Sequence, residues 1–430
     1  MAPDSARADR RPPSASDAAR RSGIDSHSPT LLLWLAFAAV HLFLLGFALF
    51  GYGLPMGDVT LVYSPWAEQA LGGGPIIGID EPWVYPILAL VPILIPAFFG
   101  FVFYDPSWLG MIVLLNACAF ATLVGHDPER HGRRAAWWWL LFLALLGPIA
   151  VSRIDSVTVP VVIVALLWLG TRPRVAWVLL TCATWVKVWP AAVIAALMVA
   201  LTKRWQVLLT ALVTSAVIVT VPLILGAGWN LFSFVGKQGA RGLQVEAPIS
   251  AWWLWSAVFG QPGSRVYYDE VLLTWQVVGR GAVVAEMIMT WSMAVAVVAV
   301  LWAGAFAMRR GVGSVALLPP LVLALVACLI AFNKVGSPQF VAWLAAPVIF
   351  GLVTSGRRFR TPAILVAVIA ALTQLVYPYL YGYLLSLFPP MVAALSVRNL
   401  LYFVVAGWAV AQIIALIRAA PQPLQAVPTR

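Results

Sequence analysis

Asp58 follows directly on an apolar run long enough to cross a membrane, in the stretch MGDVTLVYSPWAEQALGGG. A carboxylate at such a boundary is partly desolvated, a setting that suits a general base. The same position also suits a residue that caps the first turn of a short helix. Asp80 and Glu81 stand next to Trp83 and Tyr85 in GIDEPWVYP. Carboxylates accept hydrogen bonds from hydroxyls, and aromatic faces pack on the apolar side of a pyranose, so this composition fits a sugar site. It equally fits an ordinary loop at a membrane interface. Arg153 and Asp155 in SRIDSVT suit an ion pair at a helix end. Lys187 in ATWVKVWPA lies inside an apolar run, where a cation is costly and faces a cavity or a partner. FNKVGSPQF repeats that pattern with Asn333, Lys334, Ser337 and Gln339. In GKQGARGLQVEAP, Lys237, Arg241, Gln244 and Glu246 stand in glycine-rich chain. Cations beside free backbone amides suit a phosphate, although a solvated loop has the same make-up. His41 and Glu286 also fall in apolar runs. His41 reads as a helix-contact residue, and Glu286 as a snorkelling or capping one.

Membrane helices must position these groups. The chain has 430 residues, of which 62% are hydrophobic and 10% charged. A soluble domain carries about 25% charged residues, so the chain is an integral membrane protein. Its net charge of +11 resides in tails and short connections, which points to anionic lipid and helix orientation and not to nucleic acid. Cys118, Cys182 and Cys328 all lie in apolar segments and suggest no disulfide framework. With no histidine cluster and no D-x-D in the long connections, neither a metal nor another cofactor is expected.

The apolar segments are 31–52, 84–103, 107–124, 135–151, 156–170, 174–201, 205–226, 282–307, 314–332, 337–354, 361–380 and 391–417. Residues 1–29 read as a disordered cytoplasmic tail, 30–418 as the membrane domain and 419–430 as a second tail. The first apolar run is too long for a signal-peptide core and reads as a retained helix. Basic clusters at Arg133–Arg134, Arg172–Arg174, Lys203–Arg204, Arg309–Arg310, Arg357–Arg360 and Arg418 mark the cytoplasmic ends. For all of them to share one side, 174–201 must cross twice, as two short helices broken at Lys187 and Pro190. One parity conflict remains, because two apolar segments separate Asp58 from Arg133. The first of them holds Pro86, Pro92 and Pro96 and reads as broken or re-entrant. Within 53–83, Leu61, Val62, Pro65 and Trp66 share one helical face that would lie flat on the bilayer. The isolated charges then gather at the outer boundary, a base at one place and cations for a leaving phosphate at another.

The segments GDVTLVYSPWA, WVYPILAL, SRIDSVT, ATWVKVWPA, RGLQVEA and NKVGSPQF, in that order, resemble the GT-C superfamily of glycosyltransferases. The resemblance is specifically to the polyprenol-phosphate-mannose-dependent mannosyltransferases of family 87, and it runs from residue 31 to 417. It implies an all-α polytopic membrane protein, a GT-C-like bundle of roughly 11–13 transmembrane helices with interfacial helices in a long first outer loop. It implies an inverting hexosyltransferase of the plasma membrane, with its N-terminus cytoplasmic and its active site on the outer face. The donor would be a polyprenyl-phosphate-linked sugar and the acceptor a lipid- or glycan-linked sugar of the cell envelope. Asp58 matches the position of the catalytic acid in the first outer loop, and Asp155 that of a second acid. Lys187, Arg241 and Lys334 match phosphate binders. A lipid or sugar transporter would use similar charges but spread them through the bilayer depth. A membrane scaffold would not need them to converge, and an arabinosyl or glucosyl transferase would differ only in its donor.

Overall fold

A computed structural model describes residues 15–126, 131–239 and 241–420. The first helix, α1 (Ala15–Phe50), begins inside the stretch expected to be an unstructured tail, and its apolar part is Thr30–Phe50. Residues 1–14 and 421–430, about half of the first expected tail and most of the second, lie outside the described residues. After α1 the chain forms a π-turn over Val59–Tyr63 that continues into α2 (Ser64–Leu71). The left-handed Gly73 (φ 81°) then reverses the chain, a conformation that glycine adopts without strain.

The proline-rich segment is broken, as its composition implies. It consists of a 3₁₀ turn at Ile87–Ala89, α3 (Leu90–Leu94) and further 3₁₀ turns at Ile95–Phe99 and Phe101–Phe103. The apolar piece Ile87–Phe99 starts and ends on the same side of the bundle: beyond it, Asp105 accepts from Thr60 Oγ1 of the first loop (2.6 Å), and Trp108 Nε1 donates to Val151 O beside the SRIDSVT stretch (3.0 Å). It turns at Gly100 (φ 86°) and feeds α4 (Tyr104–His126). The parity conflict disappears, because this segment does not cross.

The bundle continues with α5 (His131–Leu146), α6 (Asp155–Leu167), α7 (Pro173–Val186), α8 (Ala191–Ala200) and α9 (Arg204–Ile224). The apolar run 174–201 is therefore two helices, α7 and α8, interrupted at Lys187, where the backbone becomes extended (φ −150°, ψ 134°). The long connection after α9 holds α10 (Ser233–Gly239), α11 (Ala251–Val258) and an antiparallel hairpin of β1 (Arg265–Asp269) and β2 (Thr274–Val278). Then come α12 (Ala282–Arg309), α13 (Ser314–Ala331), α14 (Ala345–Ser355), α15 (Arg360–Gln374), α16 (Tyr381–Leu385) and α17 (Pro389–Ala419).

Seven stretches among the described residues are long and apolar enough to cross a membrane. One of them, Pro338–Tyr379, folds as α14 and α15 around a turn at Gly356, and α5 with the shorter apolar helices α6, α7 and α8 completes the set. Each expected apolar segment thus corresponds to a helix or a broken helix, and the chain is an all-α polytopic membrane protein. Helix α13 is its centre: it packs on α8, α12, α14 and α17 and is buried over most of its length. Helices α9 and α12 instead expose their apolar side chains, as lipid-facing helices do.

Short connections make successive helices antiparallel. With the proline-rich segment folded back, every basic cluster in the described residues falls at one end of the bundle. The 53–83 loop, the α5–α6 and α7–α8 junctions, the long connection and the segments after α13 and α15 fall at the other. A second, smaller core at that end packs Val245, Leu254 and Val277 of the long connection on Leu384, Val392 and Leu395.

Candidate functional site

The connections at the end away from the basic clusters surround a cavity of 1770 Å³. Asp58 lies on its wall, at the start of the short helical stretch. Its carboxylate makes no capping hydrogen bond, so the capping reading does not hold. It turns instead to Arg153, whose Nε lies 3.2 Å from Asp58 Oδ2. Arg153 is 3% exposed, and its remaining donors are also engaged. Nη1 donates to the carbonyls of Pro55 (2.7 Å) and Ser152 (2.8 Å), and Nη2 to the Tyr377 hydroxyl (2.9 Å). A guanidinium presents five donors in a rigid fork, and here the fork ties three connections into one wall. The expected Arg153–Asp155 ion pair is therefore incorrect. Asp155, 1% exposed at the first turn of α6, accepts from Trp343 Nε1 (2.5 Å) and lies 3.6 Å from Lys187 Nζ. Lys187 also stands 4.6 Å from the centre of the Tyr85 ring.

Tyr63, Val59 and Ala67 recur every fourth residue and are fully buried, so this face of the first loop packs inward. Leu61, Val62 and Trp66 line the cavity, which corrects the expectation that they lie flat on the bilayer. Trp66, Trp83 and Tyr85 meet edge to face at 5.5 to 6.2 Å, with Tyr63 beside them, and form an aromatic wall next to Asp58. The indole N–H of the buried Trp83 has no partner among the described residues.

Lys237, Arg241, Gln244 and Glu246 come to the same cavity from the long connection. The backbone of Leu243–Val245 is laced to β2: Val245 N donates to Trp275 O and Val277 N to Leu243 O, both at 3.0 Å. Gln244 N donates to Lys334 O (3.1 Å). A Cβ on Gly336 would collide with the backbone of Glu246 and Ala247, so only glycine permits this approach. Glu246 is 6% exposed, and burial pushes its carboxyl up to about 7, against the opposing pull of Arg398 and the Tyr381 hydroxyl. Ser337 and Gln339, joined by a 2.6 Å hydrogen bond, complete this side.

Residues 83–292 match the model of glycosyltransferase family 87. That stretch of the chain is similar to glycosyltransferase family 87. No curated protein and no solved structure matches it. The family 87 match is narrower than the resemblance read from the motifs, which ran from 31 to 417. It is consistent with the GT-C superfamily and supports a membrane glycosyltransferase, an activity that uses a sugar donor and a glycan or lipid acceptor. Trp83, Tyr85, Arg153, Lys187 and the Lys237–Glu246 segment fall inside the matched stretch. Asp58 and Gln339 lie outside it in sequence, yet both line the cavity that residues of the matched stretch share with the first loop and the segments after α13 and α15.

Several expected site residues stand elsewhere. Asp80 Oδ2 accepts from Ile76 N (2.7 Å) within an exposed turn, and Glu81 is exposed beside it; neither lines the cavity. Asp155 and Lys187 lie behind the aromatic wall. Asn333 Oδ1 accepts from Val335 N (2.9 Å), and Lys334 donates to Glu286 Oε1 (2.9 Å) and Gly239 O (2.8 Å). Lys334 is thus consumed by an ion pair, and Glu286 is a partner and not a snorkelling residue. His41 bonds Asn116 across α1 and α4 at 3.1 Å.

The matched stretch is followed in sequence by groups that the motifs did not include. Tyr377, Tyr379, Tyr381 and Tyr383 line the cavity, and their alternation in YPYLYGY was the available signal. Arg398, 2% exposed inside the apolar α17, donates to Glu246 O (2.8 Å) and Asn399 Oδ1. An arginine within an apolar run signals a partner.

Glu246 gives a pH prediction. Its folded-state value is raised above the ordinary one of 4.5, so its stabilising contribution is complete below pH 4.5 and is lost as pH rises through 7. Between those limits the wild type should lose about 3 kcal/mol that Glu246→Gln does not. Thermal unfolding in detergent at pH 4.5 and pH 8 checks this, and an identical pH response in both proteins would refute it.

Proposed function

We propose that the protein moves a sugar, mannose, from a polyprenyl-phosphate donor to a sugar hydroxyl of a lipid- or glycan-linked acceptor, with inversion. The observation that carries this reading is the Asp58 carboxylate, held by buried Arg153 in a cavity that also receives Lys237, Arg241 and an aromatic wall. Arg153 holds Oδ2 of Asp58. The other oxygen is the one that takes the proton from the acceptor hydroxyl. As that proton moves, the hydroxyl oxygen bonds to the anomeric carbon of the donor. The bond from that carbon to the phosphate oxygen breaks, and its electron pair leaves with polyprenyl phosphate on the opposite face. Charge develops on the ring carbon, as in glycoside hydrolysis, and on the departing phosphate. Lys237 and Arg241, placed in advance, stabilise the departing phosphate. Trp83 and Tyr85 pack on the apolar face of the transferred sugar. Exposed apolar α9 and α12 border the lipid from which the prenyl chain arrives.

The positive-inside rule supports a cytoplasmic basic end and hence a cavity on the outer face of the membrane. Transport is the weaker reading. The charges gather at one end, and His41 in the bundle is satisfied by Asn116. The test is direct. Membranes containing the protein are incubated with radiolabelled polyprenyl phosphomannose, phosphoarabinose and phosphoglucose. Label should move from the mannosyl donor only, and the product linkage should be of opposite anomeric configuration to the donor. Retention of configuration, or labelling from another donor alone, contradicts the proposal.

A further inference from the structure

The β-hairpin supplies a second aromatic surface to the cavity. Tyr268 and Trp275 are cross-strand partners, with ring centroids 5.2 Å apart. Both line the cavity, and so do Asp269, Val271, Leu272, Leu273 and Thr274 between them. Tyr268 is 44% exposed, so its ring is not used up in packing. Asp269 beside it is immobilised: Oδ1 accepts from Val271 N (3.0 Å) and Leu272 N (2.9 Å), and Oδ2 from Gln276 Nε2 (3.3 Å). A fixed carboxylate next to a partly open pair of rings is suited to a sugar's hydroxyls and its apolar face.

This pair is separate from the wall beside Asp58. No ring contact among the described residues joins Tyr268 or Trp275 to Trp66, Trp83 or Tyr85. Two platforms in one cavity can each receive a ring. The volume agrees, since 1770 Å³ is well above the roughly 300–1,000 Å³ of a site for one small ligand. The hairpin is also not an independent flap. Its β2 strand is hydrogen-bonded to Leu243–Val245, the segment that presents Arg241 and Glu246. A ring seated on the hairpin is therefore registered against the groups at the reacting end.

We propose that the hairpin tip is an acceptor subsite for a glycan of at least two rings: the reacting ring lies at Asp58, and a following ring packs on Tyr268 and Trp275. This deepens the transferase reading and rests on it. The protein in lipid nanodiscs is given polyprenyl phosphomannose with one of two acceptors, methyl mannoside or a mannose trisaccharide, the latter both free and lipid-linked. The wild type should favour the trisaccharide in kcat/KM by about tenfold, the size of one good stacking contact. Tyr268→Ala and Trp275→Ala should abolish that preference by raising KM for the trisaccharide, while Tyr268→Phe and Trp275→Phe retain it. Equal losses on both acceptors, or a preference that survives the alanine variants, would overturn the subsite. A preference seen only with the lipid-linked form would assign the gain to the lipid and also overturn it. Trisaccharide binding is measured separately by saturation-transfer NMR. If no acceptor is mannosylated but the trisaccharide still binds in a Tyr268-dependent way, the transferase reading fails and the subsite stands. If the wild type binds no trisaccharide, the subsite fails.

Discussion

Replacing Asp58 with Asn should lower sugar transfer by about 10²–10⁴-fold, the range a general base supplies. The substitution keeps the shape of the side chain and leaves an oxygen for Arg153, but an amide cannot take up the acceptor proton. It should not unfold the protein, because Asp58 makes no capping hydrogen bond at its helix start and is 36% exposed. Arg153 keeps its bonds to Pro55, Ser152 and Tyr377 without the carboxylate. The measurement is initial transfer from polyprenyl phosphomannose, with donor binding and thermal unfolding as controls. A variant that turns over at the wild-type rate removes Asp58 from the chemistry and leaves Glu246 and Asp269 as the carboxylates on the cavity wall.

The largest effect on stability is expected at Lys187. Asp155 is 1% exposed, and apart from the Trp343 indole its countercharge is the Lys187 ammonium 3.6 Å away. Lys187→Met removes that countercharge and strands a buried carboxylate, a change that costs about 3–5 kcal/mol. That is a large share of the 5–15 kcal/mol that holds a typical protein folded. Lys187→Met combined with Asp155→Asn removes both charges and should recover most of the loss, which gives a coupling energy of the same order. Denaturant titration of the four proteins in one detergent closes the cycle. Independent, additive losses would mean that the two charges do not act as a pair. Transfer should fall in the single variant too, because Lys187 also stands over the Tyr85 ring that walls the cavity.

Much of the architecture was legible in the sequence because lipid imposes length and polarity on each segment separately. Lys187 and Pro190 marked a break in their own apolar run, and Pro86, Pro92 and Pro96 marked another, since each acts on its own backbone. The choice of partners was not legible. Arg153 stands two residues from Asp155, yet it pairs with Asp58, because α6 carries Asp155 into the bundle while the junction before it faces the first loop. Lys334 read as a phosphate binder until Glu286 of α12 came within 2.9 Å. Asp80 and Glu81 had suitable chemistry, but a local turn holds them away from the cavity. Arg398 and the alternating tyrosines of YPYLYGY carried a signal that the motif reading did not use. The hairpin tip carried almost none, because its contribution depends on where the long connection folds back.

The proline-rich stretch that turns back after Ile87–Phe99 has a consequence for anyone handling the protein. It leaves twelve helices among the described residues running between the two ends of the bundle, an even number, so Ala15 of α1 and Ala419 of α17 emerge on the same face. A fluorescent protein or affinity handle joined to either terminus would sit in the same aqueous compartment and well away from the cavity mouth. Immobilising the protein by such a handle would leave both substrates free to reach it.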